Sequence, residues 1–546
     1  MALGDFLQSK VAGFLLAGVV AVGLAGAGYQ WFGEGSGPVL EEIPQPNMED
    51  AEAVVAEHVS EALAAARRNG DARGYGELGK VYHSYNYFDA AAACYRNAVA
   101  LDPGGYRWRH LLSLALSDDG DTDGALAAAE AAVKASASGR GSDMVERRAV
   151  HYNLGVLYLR DGRFAEAENM LASLSTADES GAVWYALGQV AAQVDRPDAA
   201  VKAYREAAER APKDRAVLSA LGAELRRLGE QDEARIYLQR AATAADRSPS
   251  APDPLRSEVS QLNQSATSLN RRAGAASRAG NRSRAATLYR RALEADPDHP
   301  TARINLAVSL DQLGQRHQAV FELEKALEAQ ANSANAHLAL GRVLAKAGDL
   351  EGALEHLKQA RELGAEKAAP ALWAAAVTGH AQGVPEGLRA FDEALKLFPG
   401  DEGLTRGKAR MLALGGRYRE AATLLADYVK RAPECSGCRH YLARLRAAAP
   451  DAAVRDGRAA LDEARALVEI ERDVARTETL AMALAETGDF AGAVREQRLA
   501  VKRLRNARLQ EVRSRAQERL ALYEAGKPCR EPWAADETYP AGIGVG

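Results

Sequence analysis

The stretch that decides the fold runs from Trp184 to Pro212 and reads WYALGQVAAQVDRPDAAVKAYREAAERAP. Apolar residues recur in it at helical spacing on both sides of a break near Arg196 and Pro197. The residues Asp, Arg and Pro at this break are typical of a turn, and proline commonly follows the end of a helix. The stretch therefore predicts two helices joined by a short turn.

The same spacing of residues recurs along most of the chain. In the opening stretch, the shared positions are Trp184, Leu187, Gly188, Ala200, Tyr204, Ala207 and Pro212. A second copy places Tyr75, Leu78, Gly79, Ala91, Tyr95, Ala98 and Pro103 at identical intervals. Twelve copies start near Ala72, Tyr106, Arg148, Gly181, Arg215, Ala266, Pro300, Ala334, Ala368, Glu402, Ser436 and Val474. From Ala266 to Ser436 the starts lie 34 residues apart, which predicts an array of repeats.

These positions resemble the tetratricopeptide repeat, a helix-turn-helix unit of about 34 residues with a W-x2-L-G-x2-Y pattern followed by Ala, Phe, Ala and Pro. The resemblance implies an all-α fold, a right-handed superhelix of about 11–12 repeats with a concave face. Small residues at Gly188, Ala200 and Ala207 are expected to let the two helices of a repeat approach closely. Each repeat is expected to bury its apolar face against its neighbours.

Composition changes along the chain predict seven segments. They are an N-terminal anchor or signal segment (1–32), a flexible linker (33–48), a first repeat array (49–243), a linker or hinge (244–265), a second array (266–507), a capping helix (508–525) and a loose tail (526–546). The hinge is assigned because residues 244–264 interrupt the period and are rich in Ser, Pro and Asp.

Residues 11–32 are predicted to form a single transmembrane helix ahead of the repeats. From Val11 to Tyr29, 19 consecutive residues carry no charge, and a helix needs about 20 apolar residues to cross a bilayer core. Trp31 and Phe32 follow, as aromatic residues often do at the membrane surface. The sequence therefore predicts that the protein is tethered to a membrane.

The charges beside this segment predict where the repeats lie. Lys10 precedes the segment and acidic residues follow it, which places the repeats outside the cytoplasm under the positive-inside rule. The high content of Ala, Gly and Arg suggests a GC-rich bacterial genome, and hence an inner-membrane protein with its repeats in the periplasm. The alternative is a signal peptide cleaved near Ala25–Ala27, which would leave the repeats secreted.

Composition excludes several classes of function. The net charge of −5 over 546 residues gives no argument for nucleic acid binding, and four cysteines are too few for a disulfide framework. No phosphate-binding glycine loop, G-x-S-x-G or H-E-x-x-H motif is found in the sequence. The sequence therefore predicts no enzymatic activity, cofactor, metal or small-molecule substrate.

The strongest candidate for chemistry is the C-x-x-C formed by Cys435 and Cys438. Haem attachment would require histidine at the position of Arg439, zinc would require two further ligands, and a thioredoxin-like pair would require a βαβ setting. The pair is next to a predicted helix start, where the pKa of a thiol tends to fall. We expect a local disulfide between Cys435 and Cys438, or two free thiols, and a redox or metal function is the alternative.

The resemblance also implies which residues line the concave groove, namely certain positions of the first helix of each repeat. The main candidates are Lys80, Arg107, Tyr152, Arg160, Tyr185, Gln189, Arg226, Arg227, Arg342, Lys346, Arg406 and Arg410. The same positions also give His83, His110, Asp118, Gln193, Arg278, Asp311, Arg444, Glu478 and Glu486. Basic residues outnumber acidic ones in this set. The groove is therefore expected to bind a protein partner through an acidic or C-terminal-carboxylate segment.

Taken together, these features predict a membrane-tethered, extracytoplasmic scaffold that binds partner proteins in the groove of a repeat array. Two alternatives remain open: a structural subunit of a stable membrane or periplasmic complex, and a redox or metal-related protein that uses the C-x-x-C.

Overall fold

The computed structural model describes residues 38–138, 143–244, 246–364, 368–504 and 510–533. In these residues the chain forms 27 α-helices and one short 3-10 helix, with no strand. The predicted all-α helical repeat array is thus confirmed. None of the described helices has the length and apolar content needed to cross a bilayer. The predicted anchor at residues 11–32 and the end of the chain beyond residue 533 lie outside the described residues.

The chain divides into two compact units, one ending at Asn263 and the other beginning at Gln264. Helices of the first unit are α1 (Ala53–Asn69), α2 (Ala72–Ser84), α3 (Phe88–Leu101), α4 (Tyr106–Asp119), α5 (Thr122–Ser138), α6 (Met144–Arg160), α7 (Phe164–Ala172), the 3-10 helix Ser175–Ala177, α8 (Ala182–Gln193), α9 (Pro197–Arg210), α10 (Arg215–Arg227), α11 (Gln231–Thr243) and α12 (Pro254–Leu262). Five helix pairs, from α2/α3 to α10/α11, form its repeats.

The second unit contains seven helix pairs followed by a final helix within its described residues. Its helices are α13 (Ala266–Arg278), α14 (Arg282–Ala295), α15 (Pro300–Gln312), α16 (Arg316–Ala329), α17 (Ala334–Ala347), α18 (Leu350–Leu363), α19 (Ala368–Gln382), α20 (Val384–Leu397), α21 (Glu402–Leu414), α22 (Tyr418–Arg431), α23 (Ser436–Ala448), α24 (Gly457–Ile470), α25 (Val474–Glu486), α26 (Phe490–Leu504) and α27 (Gln510–Glu524). Each predicted repeat start lies within about four residues of the first residue of a helix, the usual uncertainty of a helix boundary.

The repeat motif explains the packing within a helix pair. A Cβ atom added to Gly188 would lie 2.4 Å from the ring of Tyr204, so only glycine allows α8 and α9 to pack at this distance. Ala200 and Ala207, on the facing side of α9, are fully buried. These contacts show why the motif requires small residues at three positions and a large one at Tyr204.

In every described helix pair except α23/α24, the turn contains a residue with positive φ. Gly314 and Gly348 adopt φ values of 79° and 93° at equivalent positions of two neighbouring repeats. This left-handed conformation is easily adopted by glycine and is tolerated by Asp. In the opening stretch, Asp195 adopts it with φ of 57°, one residue before the N-cap of α9. The turn predicted near Arg196 and Pro197 is thus formed by local backbone chemistry.

The first helices of successive repeats lie closer together than the second helices do. In the first unit, α2 contacts α4 and α6 contacts α8, whereas the second helices make no comparably extensive contacts with one another in the described residues. The same holds in the second unit, from α13 to α25. The first helices therefore form one face of each unit, which we call the inner face.

The described parts of three segments predicted to be linker, hinge or tail have defined structure. Within the predicted hinge, α12 is a helix that packs on the first unit. In the predicted linker at 33–48, the backbone N–H and C=O of Glu41 pair with the side chain of Asn97, and Ile43 packs on the core. In the predicted tail, Cys529 and Trp533 are buried. These described parts pack against residues that are distant in sequence.

Candidate peptide-binding surface

The inner face of the first unit is partly covered by α12, which we call the groove helix (Pro254–Leu262). It contacts α2, α4 and α6, the first helices of the first three repeats. Leu255 and Val259 are buried in the same apolar cluster as Leu78, Val81 and Leu114. Because Leu255 and Val259 are four residues apart, they lie on one side of the helix and anchor it to the inner face.

The N-terminal end of the groove helix is held by charged side chains. Asp253 caps the helix by accepting a hydrogen bond from the backbone N–H of Arg256. The other carboxylate oxygen of Asp253 lies 2.8 Å from Nε2 of His110, which is fully buried. Arg256 in turn forms a bidentate ion pair with Asp118, with N–O distances of 3.1 and 3.2 Å.

The middle and the end of the groove helix make a second set of polar contacts. One carboxylate oxygen of Glu258 accepts a hydrogen bond from Nζ of Lys80 at 3.1 Å, and the other accepts one from Arg107 at 3.0 Å. The side chain of Asn263 donates to the carbonyl oxygen of Ser84. The sequence predicts that Lys80 and Arg107 bind an acidic segment of a partner, and here they bind a carboxylate of the same chain.

The environment of the two aspartates favours their charged forms. Burial raises the pKa of the Asp253 carboxyl, but the hydrogen bond and charge of His110, together with Arg256, lower it below its ordinary value. The pKa of Asp118 is likewise raised by burial and brought below its ordinary value by His83 and Arg256. His83 lies 3.1 Å from the Asp118 carboxylate. Both aspartates that hold the groove helix are therefore ionised at neutral pH.

The inner face formed by α8 and α10 lies beyond the reach of the groove helix. Tyr185 and Gln189 are half-buried there, and the ring of Tyr185 lies 5.8 Å from that of Tyr204. Arg227 is paired with Asp195 and Glu224. Arg226 is exposed and forms no ion pair within the described part of the chain.

Two more predicted groove residues lie on α6. Tyr152 lines a cavity of about 210 Å³, together with Arg148, Asp178 and the residues just before the groove helix. Burial raises the pKa of Tyr152 to about 12. Arg160 donates to the hydroxyl of Ser117 at 3.3 Å. The cavity therefore adjoins the covered part of the inner face.

In the second unit, the predicted basic residues on α17 are satisfied locally. Nζ of Lys346 lies 2.5 Å from a carboxylate oxygen of Asp311. The guanidinium of Arg342 lies 4.9 Å above the ring of Trp373, where burial lowers its pKa. These two cations are therefore not freely available to an acidic ligand.

The inner face near the end of the second unit is covered by the segment that follows α27, residues 527–533. Arg444, which is buried, donates to the carbonyl oxygen of Pro532. The ring of Trp533 lies 5.1 Å from that of Tyr441, and Arg530 pairs with Glu486. Tyr441 and Arg444 lie on the inner-face helix α23, and Glu486 lies on the inner-face helix α25.

A buried ion-pair network supports this covered region. Glu478 receives two hydrogen bonds from Arg519 at 3.1 Å, and Arg444 lies 3.8 Å away. His440, which hydrogen-bonds Thr479 at 2.8 Å, has its pKa lowered to about 3 by burial and by nearby arginines. Arg444 and Glu478, which the sequence places in the groove, therefore hold the end of the described chain.

The C-x-x-C pair lies at the start of α23, as predicted. Sγ of Cys435 caps the helix by accepting a hydrogen bond from the N–H of Cys438 at 3.1 Å. Burial raises the pKa of both thiols, which outweighs the lowering expected at a helix start. The structure has free thiols at both positions, and a disulfide between them stays a prediction.

Glu402 adds a third potential ligand to this pair. Its carboxylate and the sulfur atoms of Cys435 and Cys438 lie within 4.8 Å of one another. The same carboxylate is held by Nε of Arg406 at 3.2 Å, and Arg410 is buried one turn further along the helix. A guanidinium beside the carboxylate and two protonated thiols disfavour a metal or redox site here.

The sequence predicts that side chains such as Lys80, Arg107 and Arg444 lie on the inner face, but it does not predict the segments of the same chain that bind them. Asp253, Arg256 and Glu258 are absent from the candidate residues because the composition of their segment indicates a hinge. A signal is present in the sequence, since Asp-Pro is a common helix start and Leu255, Val259 and Leu262 have helical spacing.

Comparison with known families supports the repeat assignment. Family models described as tetratricopeptide repeat match residues 86–140, 181–224, 276–343 and 381–434. The chain contains tetratricopeptide repeats. The predicted resemblance to this family is thus confirmed, whereas a bacterial origin stays a prediction. No curated protein matches the chain.

Several solved structures of repeat proteins are similar to parts of the chain. A thermophilic tetratricopeptide repeat protein of Thermus thermophilus is 22% identical, with 32% of this chain and 95% of that chain covered and a TM-score of 0.29. A tetratricopeptide repeat protein from Parabacteroides merdae is 15% identical, with coverage of 48% and 100% and a TM-score of 0.36. Yeast Tom70 is 14% identical, with coverage of 83% and 96% and a TM-score of 0.37.

Proposed function

We propose that the protein is a non-enzymatic scaffold that binds partner proteins on the inner faces of its two repeat arrays. One observation carries this proposal: both inner faces already bind polypeptide, the groove helix in the first unit and residues 527–533 in the second. Buried apolar anchors and charged hydrogen bonds hold these segments, as they would hold a peptide from another protein.

The partner surface we propose is the part of the inner face of α8 and α10 around Tyr185, Gln189 and Arg226. Tyr185 and Gln189 offer an aromatic ring and an amide, and Arg226 offers an exposed guanidinium beside Arg227. Aromatic rings and arginines contribute much of the energy of protein interfaces. This surface suits an extended or helical segment that carries a carboxylate opposite Arg226.

We place the scaffold at a membrane, with its repeats in the periplasm. This part of the proposal rests on the uncharged stretch at residues 11–32 and the charges beside it. Tethering would concentrate the partners of the two arrays at the membrane surface. Extraction of native membranes with alkaline carbonate tests it, because an integral protein stays in the pellet and a secreted one is released.

The test of the scaffold function is site-specific photo-crosslinking in native membranes. A photoreactive amino acid at Gln189 should crosslink to a discrete partner. Replacing Arg226 and Arg227 with Glu should reduce that crosslink about tenfold, by reversing two charges at the interface. Arg235, an exposed residue on the second helix α11, provides the matched control, and Arg235→Glu should leave the crosslink unchanged.

The outcomes separate the proposal from its alternatives. Equal crosslinking by all variants would contradict a partner surface on α8 and α10. A partner that remains bound through high salt and purification, at a fixed ratio, would instead indicate a structural subunit of a permanent complex.

A further inference from the structure

The groove helix is short and depends on the inner face for its helical form. It has nine residues, whereas isolated helices shorter than about 12–15 residues are marginal in water. Only Leu255 and Val259 among its residues are buried, and Arg256 and Glu258 keep 47% and 42% of their side chains exposed. A segment held by so few buried side chains can leave the surface while the helix pairs of the repeats remain packed against one another.

The inner face recognises several different groups of this segment. Buried His110 faces a carboxylate at the N-cap, Asp118 faces an arginine three residues later, and Lys80 with Arg107 faces a second carboxylate. Between them lies the apolar surface that receives two aliphatic side chains four residues apart. The complementary sequence is a helix with the pattern Asp-x-Leu-Arg-x-Glu-Val.

We propose that this part of the inner face is a receptor for a partner helix of that chemistry, and that the groove helix occupies it until the partner displaces it. The inference rests on the scaffold function proposed above and names the partner chemistry and the regulation of one of its surfaces. The partner is an amphipathic helix of mixed charge, rather than the acidic segment predicted from the basic residues alone.

The tether explains how occupancy is controlled. A segment joined to its receptor by a short linker acts at an effective concentration of about 1 mM, so it competes strongly with a free peptide. Release of the groove helix withdraws Leu255 and Val259 from this apolar cluster and leaves their places open to the two aliphatic side chains of an incoming helix. A weakly binding partner would therefore be excluded until its local concentration rises.

The experiment uses the full chain and a fluorescein-labelled peptide of residues 250–263. In fluorescence anisotropy, the wild-type chain should bind this peptide weakly. Leu255→Asp combined with Val259→Asp in the chain removes both anchors and should strengthen peptide binding at least tenfold by freeing the surface. Arg256→Asp in the chain should also strengthen peptide binding. Because Arg256 is exposed, this variant keeps the test valid if the double variant fails to fold.

Exchanging the charges of Asp118 in the chain and Arg256 in the peptide tests whether these two residues pair in the complex. In the released chain, Asp118→Arg should weaken binding of the wild-type peptide about fivefold or more, and a peptide with Arg256→Asp should restore it. The inference is overturned if neither released chain binds the peptide better than wild type, or if Asp118→Arg weakens both peptides equally. If the groove-helix inference is wrong but the scaffold function is right, the partner still crosslinks to the label at Gln189. If the scaffold function itself is wrong, that crosslink is absent as well.

Discussion

At the scale of single residues, a small side chain decides how closely the two helices of a repeat pack. Gly188→Ala should lower the free energy of unfolding by about 1–3 kcal/mol, the usual cost of overpacking a core. The added Cβ would lie 2.4 Å from the ring of Tyr204, which is only 4% exposed and has no room to move. Urea denaturation followed by circular dichroism measures the change.

Gly274 provides the control, because it lies inside the first helix α13 and an added Cβ there would make only ordinary van der Waals contacts. A Cβ there would be 3.6 Å from the nearest atom, an end nitrogen of Arg278. Gly274→Ala should raise stability by about 0.5–1 kcal/mol through its higher helix propensity. Equal effects of the two substitutions, in either direction, would show that propensity and not packing selects glycine at Gly188.

At the scale of elements, docking of the groove helix should depend on acid pH. The folded-state pKa values of Asp118 and Asp253 lie below the ordinary value of 3.8. The stabilisation from their charged forms is therefore complete above about pH 4 and is lost as pH falls through the lowered values. A nitroxide spin label on Ser257→Cys, which is exposed, should show increased mobility below pH 4.

The matched variant for this measurement replaces both Asp118 and Asp253 with Asn. Asparagine still caps a helix and keeps the shape of the side chain, but it has no charge to lose. The label should then be more mobile near neutral pH and respond less to acid, with Glu258 as the remaining carboxylate that holds the helix. A label that stays immobile down to pH 2 in the wild-type chain would contradict a charged contact as the holding force.

The helices differ in how well they could be predicted from the sequence. The helix pairs could be predicted because a 34-residue pattern repeats, and a turn such as that at Asp195 is set by local backbone chemistry. The groove helix has a local helical signal, but its docking could not be predicted, since it occurs once and its partner His110 is 143 residues away. Likewise, nothing local to Arg444 indicates that it binds the carbonyl of Pro532. The repeated pattern made the helix pairs predictable from the sequence. The positions of the groove helix and of residues 527–533 depend instead on single contacts between residues that are far apart in the chain.

At the scale of the whole molecule, a repeat array distributes its stability along the chain. Each helix pair buries its apolar side chains mainly against the next pair, so no single core organises all the repeats. The first unit contains its own apolar clusters, such as that around Leu78 and Leu255, and the second contains others, such as that around Phe391 and Leu442. Each unit therefore has the packing that independent folding requires.

We expect two fragments, residues 38–263 and 264–546, to fold separately. Each should show the helical circular dichroism spectrum and a cooperative urea transition, because each retains its own neighbouring-repeat contacts. A fragment of residues 38–244 provides the sharper comparison: it lacks Leu255 and Val259 and should unfold at lower urea than residues 38–263. Identical transitions for these two fragments would show that the groove helix adds no stability, and a disordered 264–546 would contradict two self-sufficient units.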